Sequence, residues 1–104
     1  MQRVAFKMKM FPGCAEEYKR RHDAIWPRLQ ALLKEAGVQE YSIFLDEGTN
    51  ILFAILKIED IALLDELPKH VVMQEWWAYM KDMMETNADN SPVVIPLNEV
   101  FYLP

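Results

Sequence analysis

Two runs near the middle of the chain, EYSIFL (40–45) and ILFAILKIE (51–59), set the tightest limit on what it can fold into. They flank DEGTN, a stretch of turn formers, and together read as a β-hairpin. Both runs are apolar on both faces, with Ile43 and Leu45 opposed to Phe44 in the first. A sheet built from them needs cover on each side, and one helix layer supplies only one cover.

The flanking segments supply the rest of the sheet and its helices. VAFKMKM (4–10) alternates, with Val4, Phe6, Met8 and Met10 on one side and Lys7 and Lys9 on the other, the pattern of a half-buried strand. FPG (11–13) is a turn, after which Glu16 and Glu17 fall where a helix N-terminus favours negative charge. The helix runs to Gly37, and Tyr18, His22, Ile25, Leu29, Leu32 and Ala36 recur along it at the spacing of one buried face. Pro27 breaks it: proline lacks the backbone N–H and biases Trp26 away from the α region, so Pro27 opens a second helical segment. A further helical region spans 60–84, with Asp60 as N-cap and an interruption at Pro68. NADNSPVVIP reads as a loop, and EVFYLP (99–104) as the closing strand.

The order strand, helix, strand, strand, helix, strand is the split βαβ pattern of a ferredoxin-like α+β sandwich. Its helices cover one sheet face; Phe44, Leu52 and Leu56 are assigned to the other. Packing two such sheets face to face in a homodimer, a dimeric α+β barrel, is the simplest way to cover it.

Composition narrows the function. A chain of 104 residues that is 52% apolar and 26% charged reads as one globular domain, residues 1–104. With a net charge of −5 and no long basic run, nucleic acid is not an expected partner. Cys14 is the only cysteine, which excludes an internal disulfide and fits a reducing compartment. No stretch approaches the roughly 20 apolar residues of a membrane span, no leader is read at the N-terminus, and the expected location is cytoplasmic. Two histidines and one cysteine make no close-spaced ligand set, so no metal is expected. Three glycines leave no room for a phosphate-binding loop, and no Gly-x-Ser-x-Gly elbow is present.

A few residues remain that could carry chemistry. His22 lies on the apolar stripe although Lys19, Arg20, Arg21 and Asp23 around it form a solvated face with no role required of them. It is open to two readings, a hydrogen-bonded core histidine or an acid/base catalyst whose proton affinity the adjacent cations hold down. Tyr18 precedes it by one turn on the same face. His70, at a helix junction beside Pro68, reads as a surface residue. Trp76 and Trp77 point about 100° apart on a helix, so both cannot sit at the centre of one stripe. One is core and the other a contact, or the pair forms an apolar wall of the kind that stacks on a sugar's C–H face. Tyr41 opens a strand and is uninformative alone. The seven methionines read as adaptable core filler rather than haem ligands.

EEYKRRHDAIWPRL, YSIFLD, LFAILKIE, WWAYMKDMM, DNSPV and the terminal EVFYLP, in this order and spacing, resemble the L-rhamnose mutarotase family from Ala5 to Pro104. The resemblance implies a small cytoplasmic homodimer on a ferredoxin-like fold that interconverts the α and β anomers of L-rhamnose without a cofactor. It further implies His22 as proton donor, and Tyr18, Tyr41, Trp76 and Trp77 as substrate contacts. A cofactor-independent monooxygenase, a haem-handling protein or a small-ligand binding module on the same barrel is the alternative, on fold analogy alone.

Overall fold

The computed structural model describes residues 1–104. Its elements are β1 (Gln2–Lys9), α1 (Ala15–Asp23), α2 (Pro27–Glu35), β2 (Gln39–Asp46), β3 (Ile51–Ile58), a 3₁₀ segment (Ile61–Lys69), α3 (Val71–Met80), a short 3₁₀ turn (Lys81–Met83) and β4 (Ile95–Leu97). The strands form one antiparallel sheet in the order β2-β3-β1-β4, the arrangement of a ferredoxin-like α+β fold. No helix is long and apolar enough to cross a membrane.

Local chemistry accounts for the breaks. Trp26 is extended at φ −62°, ψ 132°, and Pro27 takes the first position of α2, where its missing N–H costs nothing. At the far end of α2, Gly37 sits at φ 87°, a left-handed conformation that suits glycine. The N–H of Gly37 donates to the Lys34 carbonyl and that of Val38 to the Leu33 carbonyl, closing the helix as a Schellman motif. In the β2–β3 hairpin the Asp46 carboxylate accepts from the Gly48 N–H at 3.0 Å and from the Thr49 hydroxyl at 2.9 Å. Asp60 caps as expected, accepting from the Ala62 N–H at 3.0 Å, although the segment it opens is 3₁₀ rather than α.

Period-two alternation divides the sheet into a covered and an open face. Met8 pairs with Leu52, Phe6 with Ala54 and Val4 with Leu56, all on the helix-covered side. Leu29 from α2 and Met73, Trp76 and Met80 from α3 pack over this face. Six of the methionines are buried there, as core filler. Leu52 and Leu56 therefore belong to the core and not to the open face to which the sequence pattern assigns them, because both share the parity of Ala54. The open face is Phe44, Phe53, Ile55, Ile95 and Leu97 in register around Ala5 and Lys7. Phe44 is 60% exposed on it.

The last strand also differs from the expected one. β4 begins in the proline-containing stretch read as loop and extends one residue past it, pairing Leu97 with Ala5 and Ile95 with Lys7. Pro96 is tolerated because β4 is an edge strand whose outer side needs no donor. EVFYLP carries no strand. It is held instead by Arg3, which donates to the Glu99 carboxylate at 2.9 Å and lies 3.3 Å over the Tyr102 ring.

Leu29 is 2% exposed in the middle of the core. Replacing it with alanine is expected to lower the unfolding free energy by about 3 kcal/mol, whereas Arg28→Ala on the exposed side of α2 changes it by less than about 0.5 kcal/mol. Urea titration of both variants measures the difference.

Candidate active site

Two residues of α1 set the centre of the site. Tyr18 and His22 are one helical turn apart, with rings stacked at 4.4 Å between centroids and 24° between planes. The Nδ1 atom of His22 is 3.0 Å from the Tyr18 carbonyl oxygen. A carbonyl only accepts, so Nδ1 carries the proton and the neutral ring leaves Nε2 with a free lone pair. Burial holds the imidazole below its ordinary value near 6.5, against the opposing pull of the Tyr18 carbonyl and the Asp23 charge. The direction matches the sequence-based expectation, but the cause does not. The neighbouring cations are paired away: Lys19 with Asp23, Arg20 with Glu17, and Arg21 with Glu17 and Asp82.

The helix break at Trp26 turns that residue toward α3. Its ring meets Trp76 edge-on at 5.1 Å and stacks on Tyr79 at 5.4 Å. Trp76 in turn stands at 89° to His22 with 5.4 Å between centroids. The tryptophan pair divides as helical geometry requires, Trp76 being 5% exposed and Trp77 half-buried. Both nevertheless border the same space.

That space is a cavity of about 800 Å³ between the covered sheet face and the helices. Tyr18, His22, Tyr41, Trp76 and Trp77 all line it, so the five side chains singled out from the sequence meet in one place. Met8, Leu29, Ile43 and Leu52 give it apolar walls, while Asp23, Lys34 and Glu40 are among its charged lining residues. Burial pushes the Tyr41 hydroxyl up to about 12. The Tyr18 hydroxyl is pushed well above the usual phenol range, by burial first and by the nearby Tyr41 second. Both phenols stay protonated at neutral pH and can donate hydrogen bonds into the cavity. An acid/base imidazole, two neutral hydroxyl donors and an indole wall suit a small polyhydroxylated ligand with an apolar face. His70 is exposed and takes no part.

Arg21 departs from the expectation of a solvated side chain without a role. Its side chain is only 12% exposed. It donates to the Glu17 carboxylate at 2.7 Å, to the Tyr79 carbonyl at 2.6 Å and to Asp82 at 3.0 Å, with its guanidinium over the Tyr79 ring. This clamp joins α1, which carries His22, to the end of α3, which carries Trp76. The i,i+4 spacing of Glu17 and Arg21 was the one local signal; Tyr79 and Asp82 are too far along the chain to read.

Fold and pocket together define a ferredoxin-like α+β protein with a single cavity-lining histidine at the centre of its candidate site. The chain belongs to the L-rhamnose mutarotase family, whose family model matches residues 3–103. It is 57% identical to the L-rhamnose mutarotase of Sinorhizobium fredii over 103 residues, covering 99% of both chains. The crystal structure of an L-rhamnose mutarotase from Formosa agariphila superposes with a TM-score of 0.93 at 50% identity, covering all of both chains. An antibiotic biosynthesis monooxygenase superposes with a TM-score of 0.51 at 15% identity, over 96% of this chain and 99% of that one. That last likeness is one of fold alone.

Replacing Arg21 with methionine keeps the stem and removes the clamp. The melting temperature is expected to fall by about 5 °C, with Arg21→Lys intermediate because an ammonium cannot reproduce the forked contacts; differential scanning calorimetry measures both.

Proposed function

We propose that the protein is an L-rhamnose mutarotase, an isomerase that interconverts the α and β anomers of the sugar by opening and reclosing the pyranose ring. The observation that carries this reading is the neutral His22, with Nδ1 engaged and Nε2 free, in a cavity walled by Trp76 and Trp77. Family membership over nearly the whole chain supports the sugar's identity.

Ring opening requires the anomeric hydroxyl to lose a proton and the ring oxygen to gain one. The two oxygens share a single carbon, within reach of one imidazole nitrogen. Nε2 takes the anomeric proton, the oxygen left behind forms the aldehyde carbonyl, and the C1–O5 bond breaks with its electron pair on O5. The imidazolium then donates its proton to O5. His22 is thus the proton donor to the ring oxygen and ends neutral, as it began. Rotation about C1–C2 and the reverse sequence give the other anomer. Tyr18 and Tyr41 hold sugar hydroxyls, and the tryptophans take the apolar face of the ring. The residues of this chain are sufficient for each step, and the reading invokes no metal or cofactor.

The same reading covers the open sheet face. Phe44, Ile55, Ile95 and Leu97 are each more than a third exposed on it, and a second copy packed face to face removes them from water. The lone Cys14 suits the cytoplasm, where an L-rhamnose mutarotase would meet its substrate.

His22→Asn is expected to lower the anomer exchange rate above the protein-free background by roughly 10²–10⁴-fold, measured by NMR saturation transfer on L-rhamnose; a folded variant with the wild-type rate would remove His22 from the mechanism. Because the resting neutral form is the competent one, kcat/KM should be full at neutral pH. It should fall as pH drops through the lowered His22 value, below 6.5. A rate that rises on acidification through that window would point instead to a resting imidazolium donor. Phe44→Asp places a charge on the open face and is expected to yield monomers in sedimentation velocity where the wild type sediments as a dimer.

A further inference from the structure

The pairing of β2 with β3 slips by one residue close to the site. Gln39 pairs with Lys57 and Ser42 with Ile55, so Glu40 and Tyr41 together oppose the single residue Leu56. This is a β-bulge, and Glu40 in it has φ 49°, in the left-handed region where a bulge ordinarily carries glycine. Its carboxylate pairs with the Lys57 ammonium across the strand.

The extra residue is not there to keep the right side chains inside. Val38 is buried, while Ile43 and Leu45 face the core with Ala54 and Leu52. Removing Glu40 would leave Val38 inward, Gln39 outward, Tyr41 inward and Ser42 outward, an unbroken period-two ladder. Sequence alternation alone would thus be better served by a strand one residue shorter. What the bulge changes is the aim of the residue beside it: Tyr41 is displaced from a regular ladder position at the point where β2 borders the cavity. Strained backbone kept next to a site, where a regular strand would satisfy the core, points to a requirement of the site.

We propose that Glu40 is a positioning residue: its left-handed conformation holds the bulge that directs the Tyr41 hydroxyl into the sugar cavity. The inference rests on the reading of Tyr41 as a substrate contact. β2 is also an edge strand, and edge bulges discourage pairing with other chains; that role alone would leave sugar affinity untouched.

The test separates these. Anomer exchange of L-rhamnose is measured by NMR at a series of concentrations for Tyr41→Phe, for deletion of Glu40, and for the two combined. Loss of one hydrogen bond to a sugar hydroxyl is expected to raise KM several-fold, up to about tenfold, with kcat little changed. The Glu40 deletion should match Tyr41→Phe, and the combined variant should be no worse than either. In the deletion, the Tyr41 ring carbon signal should titrate nearer the ordinary phenol value than it does in the wild type. Glu40→Ile, whose branched side chain resists the left-handed region, should raise KM in the same way, and Glu40→Gly should restore it. A folded deletion with wild-type KM and unchanged Tyr41 titration, beside a raised KM in Tyr41→Phe, overturns the inference while leaving the sugar contact intact. Wild-type KM in Tyr41→Phe overturns the contact itself, and the inference with it. If the deletion does not fold, equal KM values for Glu40→Ile and Glu40→Gly overturn it.

Discussion

β3 pairs along its whole length with β1 and along most of it with β2, so the face its side chains take decides the face of both neighbours. Leu52, Ala54, Leu56 and Ile58 are each no more than 3% exposed, and they hold that face against the helices. A slip of one residue would turn Ile51, Phe53 and Ile55 inward and expose this core row. The same parity carries Met8 on β1 and Ile43 on β2 to the cavity wall. Core and site are therefore one decision: the row that drives the helices onto the sheet also contributes Leu52 to the wall of the cavity that His22 lines.

The chemistry of His22 follows from where α1 ends. A histidine in the last turn of a helix feels the negative end of the dipole, which favours the imidazolium by roughly 0.3–1 kcal/mol, less than one pKa unit. Asp23 and the Tyr18 carbonyl pull in the same direction. Burial against Tyr18 and Trp76 outweighs all three, because desolvation can move a buried group by several units. The result is a neutral ring at the cavity wall with one nitrogen engaged and the other unpaired. Had the helix continued past Pro27 without a break, Trp26 would not be turned onto Trp76 and Tyr79, and the indole against the imidazole would lose its support.

Much of this is legible in the sequence. The β1 alternation, the β2–β3 hairpin and the break at Pro27 are local, and local chemistry states them plainly; the interruption expected at Pro68 falls instead at His70, with Pro68 inside the 3₁₀ segment. His22 on the apolar stripe and the tryptophan pair as one possible stacking wall can be read from spacing, although Tyr41 becomes a site residue only through the family resemblance. The misreadings have a common cause. β4 is a short segment with a proline, formed because the free edge of β1 accepts it, while EVFYLP has strand propensity but is tied down by Arg3 instead. Leu52 and Leu56 were assigned to the wrong face because a run apolar on both sides carries no parity of its own. Arg21 looked solvated since its partners Tyr79 and Asp82 lie some sixty residues away. Each of these depends on contacts between distant segments, which periodicity does not encode.

The two faces of the sheet also divide the protein's tasks. All five side chains of the proposed site come from one chain and line a cavity on the covered side, whereas the open face is the one proposed to pair with a second copy. The proposed pairing would act on the sheet itself. Phe44 and Ile55 flank the Phe53 position on the open face, and burying such surface contributes about 25 cal/mol per Å². β2 would gain from such cover, since it is an edge strand interrupted by the bulge at Glu40 and Tyr41, with fewer ladder pairs to hold it than β3 or β1. Cover on the outer face would thus restrain the strand that presents Tyr41 to the inner one. Burial of the open face would in this way act on the site through the strand that carries Tyr41.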